Sequence, residues 1–215
     1  MNYSDAVEKL SVYFSTPSYE KEVLTAKSEF FGDVGVDDKE SDQYEQWMNI
    51  FFDWYLFSRP LSGTNLPPAK YALEIDEFQQ LHGDEKRIFQ NLASTDHCLL
   101  QFIKSKGDFV WFKDLFRRKK IKVVNNDFII TLEKGDICDS RIVPDEDHYF
   151  LTKGFCHHPI EANKFILKEI KLLKKAEETQ HESFQLELIR MFFKTQQYSH
   201  LKHDQIYTRD SKVRF

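Results

Sequence analysis

The sequence predicts an α+β protein with an amino-terminal helical subdomain, a small antiparallel barrel-like sheet and carboxy-terminal helices. Three observations point there. Residues 1–95 carry apolar side chains at helical spacing between cap and proline signals. Residues 96–156 hold short runs of aromatic and β-branched residues separated by Gly-Asp and acidic turns. After Pro159 the helical spacing returns. The expected parts are therefore 1–95, 96–156, 157–198 and a polar tail over 199–215. With 20 Phe, 9 Tyr and 3 Trp against 7 Gly and 6 Pro in 215 residues, collagen-like, linker-like and disordered chains are excluded.

In chain order, Ala6, Val7, Leu10 and Phe14 predict a first helix. Thr16-Pro17 reads as a cap with proline at the first helical position, opening a second helix through Phe31. Gly32 and Gly35 end it, and Gly32 to Glu40 reads as a loop. Ser41 or Asp42 is expected to cap a helix dense in rings, with Trp47, Phe51, Trp54 and Tyr55 on one side. A helix apolar on most faces is central, so Trp54→Ala is expected to cost about 3–5 kcal/mol. Pro60 ends it. Pro67-Pro68 opens another helix, and Asp84 is expected to cap a short one through Ile88, Phe89 and Leu92.

The β-type runs are Cys98 to Lys104, Phe109 to Phe112, Ile121 to Val124, Ile137 to Val143 and His148 to Phe155. Gly107-Asp108, Gly135-Asp136 and the acidic stretch from Pro144 to Asp147 are the turns. Five strands at this spacing predict a small antiparallel barrel. Pro159 starts a helix whose apolar face is Ala162, Phe165, Ile166, Ile170 and Leu173. Lys164, Lys168, Lys171, Lys174 and Lys175 form its basic face, read as solvated. A last helix carries Phe184, Leu188, Met191 and Phe192. The tail from Ser199 to Phe215 contains the isolated apolar residues Ile206, Tyr207, Val213 and Phe215.

No signal peptide is expected, because Asp5, Glu8 and Lys9 interrupt the first residues, and no run of about 20 apolar residues occurs. Three cysteines, an odd and sparse number, fit a reducing compartment, and a cytoplasmic protein is expected. Charge is uneven. Residues 1–95 hold 8 Lys and Arg against 17 Asp and Glu, and residues 96–215 hold 22 against 18. An acidic half thus meets a mildly basic one. They either attract each other or face different partners, the former being the simpler reading.

Two stretches carry a resemblance. One is Phe52-Asp53-Trp54-Tyr55-Leu56-Phe57-Ser58-Arg59-Pro60-Leu61, followed by Thr64. The other is Gly135-Asp136-Ile137, Arg141, the string Gly154 to Pro159, and Glu161 to Ile166. Together they resemble a group of uncharacterised bacterial proteins with a Trp-aromatic-x-Phe-x-x-Pro-Leu helix, a Gly-Asp-Ile turn and a helix after His-Pro. The resemblance spans roughly residues 45–175. It departs at Leu66-Pro67-Pro68, where Thr-Pro-Leu is expected. It implies helices, then a small barrel, then helices, and no catalytic residue.

Several side-chain groups are candidates for chemistry. Cys138, Cys156, His157 and His158, with His148, are metal-ligand types. Their spacing matches no standard site, and neighbours on a strand point to opposite faces, so no metal is predicted. His200 and His203, with Asp204, share a helical face, and a solvated tail is the simpler reading. Arg117, Arg118, Lys119, Lys120 and Lys122 form a basic segment beside Trp111. That segment suits either an acidic protein surface or single-stranded nucleic acid, although Trp111 is also expected to serve the core. No phosphate loop, nucleophile elbow or His-Glu-x-x-His string occurs. The expectation is a non-catalytic, cofactor-free binding or adaptor protein. It would recognise another protein through the β subdomain or the aromatic helical groove, with nucleic-acid binding through 117–122 as the alternative. A metal-dependent enzyme is a third, lesser reading.

Overall fold

A computed structural model describes residues 1–32, 43–125 and 131–209. The expected loop beyond Gly32, the stop at Gly35, the cap at Ser41 or Asp42, and the tail residues Val213 and Phe215 lie outside the described residues. The chain is α+β and divides into two compact units. Unit 1 is Met1–Asp96 with Arg141–Glu146 and Thr152–Gly154, and unit 2 is His97–Ser140, Asp147–Leu151 and Phe155–Phe215.

Unit 1 contains α1 (Tyr3–Tyr13), α2 (Glu20–Phe31), α3 (Tyr44–Phe57), the short α4 (Pro68–Tyr71) and α5 (Asp76–Gln79), and α6 (Gly83–Ala93). Asn2 and Asp5 close a reciprocal capping box on α1. Pro17 opens a 3-10 turn to Tyr19 rather than the α-helix itself, and Thr16 Oγ1 donates back to Tyr13 O. Gly32, at φ 57°, stops α2. Asp84 lies in the first turn of α6, while the cap position is held by His82, two residues earlier than expected, which makes no side-chain capping bond.

Rings dominate the unit 1 core. Phe14, Phe30, Phe51, Tyr55, Phe78 and Phe89 are all fully buried. Phe51 and Tyr55 stack at 5.9 Å, and the Tyr55 hydroxyl donates to Phe14 O at 3.0 Å. Of the four rings expected on one side of α3, Trp47, Phe51 and Tyr55 are buried and Trp54 is only half-buried. The centre of the helix is therefore Phe51–Tyr55.

Unit 1 also closes on its own buried charges. Arg59, 8% exposed, reaches Glu22 and Glu29, the latter at 2.5 Å. Asp53 accepts from the Thr152 hydroxyl and, at 3.1 Å, from Gly154 N–H. Arg141 donates to the Ser58 hydroxyl and covers the Phe57 ring.

The sheet comprises β1 (Asp96–Lys106), β2 (Phe109–Asp114), β3 (Lys120–Val124), β4 (Ile137–Asp145), β5 (His148–Leu151) and the two-residue β6 (Cys156–His157). Its order is β1-β2-β3-β5-β4-β6, and β1 also pairs with β4, which closes a barrel. β3 and β5 run parallel, at Val123 and Tyr149, where the sequence predicted only antiparallel pairs. Gly107 at φ 58° and Gly135 at φ 102° make the expected turns.

In unit 2, α7 (Asn163–Leu172), α8 (Glu178–Gln197) and α9 (His203–Ile206) join the barrel's Leu99, Leu115 and Ile137 in one core with Ile166, Phe184, Leu188, Ile206 and Tyr207. The segment read as a tail is thus built into this core as far as Tyr207, whose hydroxyl bonds His158 Nδ1 at 2.9 Å. Among the described residues, no helix is long and apolar enough to cross a membrane.

Candidate functional site

Strand alternation sorts the residues of β1, β2 and β3 into two faces. Inward, Phe102 opposes Phe112, Phe112 opposes Ile121 and Val110 opposes Val123, all buried. Outward, Lys104 opposes Trp111 and Trp111 opposes Lys122. The neighbouring outward rows are Lys106–Phe109–Val124 and Gln101–Lys113–Lys120. A bulge between Phe102 and Lys104 shifts the register of β1 by one residue, and this brings Lys104 beside Trp111.

That outward face carries five lysines and two rings, and no carboxylate occurs at 101–106, 109–113 or 120–124. Lys104 Nζ lies 5.1 Å and Lys120 Nζ 5.8 Å from the Trp111 ring centre. Lys122 Nζ lies 4.0 Å from that of Phe109. These are cation–π distances. Trp111 and Phe109 are half-buried, so Trp111 belongs to this face and not to the core, which corrects the expectation for it. His148, from β5, packs its ring against Phe109 at 5.8 Å and Phe150 at 5.3 Å.

The basic segment divides. Arg117 is held by Asp114 at 3.2 Å and Glu178 at 3.0 Å, and its guanidinium lies 3.4 Å from Cys98 Sγ. Buried Asp114 also accepts the Phe116 and Arg117 amides, so it caps the β2–β3 connection. Arg118, exposed at φ 58°, and Lys119 sit in that connection. Only Lys120 and Lys122 join Trp111 on the sheet face. Sequence reasoning missed Lys104, Lys106 and Lys113. Their signal was the spacing Lys-x-Lys in β1, Phe-x-Trp-x-Lys in β2 and Lys-x-Lys in β3.

The family of unknown function DUF7986 matches residues 8–203. The chain belongs to this family. No curated protein and no solved structure matches it. Within this DUF7986 chain the family match spans both the helical unit and the barrel, and so includes every residue of the outward face.

Of the Cys and His candidates, Cys138, Cys156 and His158 occupy a separate buried cluster, while His148 lies beside Phe109. Cys138 pairs across with His157 and Asp139 with Cys156. Cys138, Cys156 and His158 are fully buried. Burial pushes both thiols and the Tyr207 hydroxyl up, and it drives the His158 imidazole down to about 4. These thiols stay protonated and are poor ligands and nucleophiles. His157 turns instead to Asp136 at 3.3 Å, and Asp139 holds His97 at 2.5 Å. His203 pairs with Glu161 at 3.0 Å, while exposed His200 packs on Tyr198. Among the described residues no group of three or more His, Cys, Asp or Glu side chains is arranged to hold a metal ion.

Proposed function

We propose that this protein is a non-catalytic binding protein that takes single-stranded nucleic acid on the outward face of β1, β2 and β3. One observation carries the reading: Phe109 and Trp111 stand in alternating rows with Lys104, Lys106, Lys113, Lys120 and Lys122. A single strand offers unpaired base faces and a line of phosphates. Rings flanked by ammonium groups match both, and base–ring stacking tolerates any sequence. Five-stranded, partly open barrels that bind oligonucleotides use the face of their second and third strands. That analogy supports the choice of face and does not replace the side-chain argument. The net charge of −5 disfavours indiscriminate polyanion binding, so a local lysine array is the feature that must act.

The test is anisotropy of a labelled oligo-dT of about 15 nucleotides, a length that covers one small barrel, measured across a salt series. Binding should weaken with salt by a log–log slope of about −0.7 per phosphate contact. Trp111→Ala should weaken it by about 1–3 kcal/mol. Absence of binding at low salt, or an unchanged Trp111→Ala, rejects the reading.

A second reading keeps the same face and the same absence of chemistry but gives it an acidic protein segment. It is favoured by one contact, the carboxylate of Asp147 that already sits 2.8 Å from Lys122 Nζ. The aromatic helical groove supports neither reading, because the rings of α3 are largely taken up by the core. A poly-glutamate peptide that displaces no oligo-dT decides against the second reading.

A further inference from the structure

We infer that Lys122 and Phe109 form a phosphate-and-base subsite within this face, and that the Asp147 carboxylate occupies the phosphate position in the free protein. The inference rests on the single-strand reading above and adds to it a particular position and a competitor.

Lys122 Nζ stands at two contacts at once, 2.8 Å from Asp147 Oδ2 and 4.0 Å from the Phe109 ring centre. The other Asp147 oxygen lies 3.2 Å from His148 Nδ1, and the His148 ring in turn borders Phe109. One anion is therefore gripped by an ammonium that lies over the Phe109 ring and by an imidazole that borders it. A phosphodiester presents the same thing, a singly charged group with two acceptor oxygens, joined to a flat base that needs a ring beside it. The Lys122 and His148 hydrogen bonds hold the Asp147 carboxyl below its ordinary range, so it is ionised and is a faithful stand-in. Asp147 is 76% exposed in its side chain, against 30% for Lys122 and 17% for His148. The anion is the loosest member of the trio and the one a ligand can replace. The acidic turn entering β5 would thus lower affinity for any anion that fails to bring a base to Phe109.

Oligo-dT titrations of the full chain and of Asp147→Asn test this. Asp147→Asn should bind about two- to fivefold tighter, the range expected from removing one exposed ion pair. Adding Lys122→Ala should erase that gain. Asp108→Asn, an equal charge change in the exposed β1–β2 turn, should give less. An equal gain from Asp108→Asn, or none from Asp147→Asn, overturns the subsite and leaves the single-strand reading standing. If no variant binds oligo-dT, the reading fails and inorganic phosphate decides the subsite. Phosphate that shifts the His148 ring signals of Asp147→Asn, but not those of Asp147→Asn/Lys122→Ala, supports it. No such shift overturns it.

Discussion

The two ring-rich segments of this chain, α3 in unit 1 and β2 in unit 2, use their aromatics in opposite ways. In α3 half of the positions carry rings, and a period of 3.6 turns them toward several neighbours at once. Phe51 meets Phe30, Phe31, Phe52 and Tyr55, and seven of the fourteen residues of α3 are buried. In β2 a period of 2 sends Val110 and Phe112 inward and leaves Phe109 and Trp111 outside among lysines. Aromatic density is therefore no measure of core. The periodicity that carries it decides whether rings hold the fold or remain available to a ligand.

The largest effects should fall on the first kind of ring. Tyr55→Ala removes a fully buried side chain and its bond to Phe14 O, and should cost about 3–5 kcal/mol. Trp111→Ala should stay within about 1 kcal/mol, because its ring is half-exposed. Urea denaturation of the two variants side by side checks the contrast. Equal losses would break it.

A second way to sharpen the contrast is pH, because the polar residues of the unit 2 core are closed to water while those of the outward face are not. Burial lowers the His158 imidazole to about 4, with Asp139 pulling it up and His157 pushing it down. The unfolded chain takes up that proton near 6.5 and the folded chain only near 4, so the folded state binds fewer protons between the two. The stability that neutral His158 contributes is complete above about pH 6.5 and is lost as pH falls towards 4. The loss should be roughly 3 kcal/mol at about 1.4 kcal/mol per pKa unit. His158→Gln has no such proton to refuse, so its stability should fall less over the same window. Parallel denaturation curves for the two proteins from pH 7 to 4 would sink the assignment.

Next in size is Gly154→Ala, a test of how tightly unit 1 closes on its charges. A Cβ at Gly154 would stand 2.2 Å from Asp53 Oδ2 and 2.5 Å from its Cγ. That carboxylate is already held by Thr152 and the Gly154 amide, so it cannot withdraw without losing both. A cost of about 1–3 kcal/mol is expected, the usual range for overpacking. A thermal midpoint equal to wild type would mean that Asp53 is freer than its bonds imply.

Much of this architecture is legible in the residues, and the gaps have physical reasons. Helix α3 announces itself by ring spacing and by Pro60, and the barrel by alternation between Gly107 and Gly135. The parallel β3–β5 pair is invisible because Val123 and Tyr149 meet across 26 residues, and nothing local encodes that partner. The burial of Tyr207 is invisible for a similar reason: one ring in a polar segment is bound by His158, 49 residues earlier. At the site the obstacle is different. A run such as Arg117 to Lys122 catches the eye as linear charge, yet Arg117 is neutralised by Asp114 and by Glu178, which lies 61 residues away. The dispersed lysines at 104, 106 and 113 are readable only as every-other-residue partners of Phe109 and Trp111. Even then the bulge that seats Lys104 beside Trp111 leaves no mark in the local pattern.

The smallest effect expected is the most informative about what makes the outward face a site. Helix α7 displays Lys164, Lys168 and Lys171, with Lys174 and Lys175 just beyond it, and all five are exposed. By charge alone this helix rivals the barrel face. It differs in that its one ring, Phe165, packs on Phe184 and Tyr207 of the core, and Leu172, 70% exposed, is the large apolar neighbour on the solvent side. Solvated ammonium groups contribute little to folding, so replacing Lys168, Lys171 and Lys175 with Ser should leave stability within about 0.5 kcal/mol. If charge were the whole basis of binding, the same triple change should weaken oligo-dT as much as removing Lys104, Lys120 and Lys122. If rings and cations act together, the α7 variant should keep its affinity to within about twofold and show a salt slope equal to wild type, because phosphates held at the barrel face would still release the same counterions. Anisotropy of the two triple variants across one salt series separates these outcomes, and equal losses would reduce the barrel face to one basic patch among others.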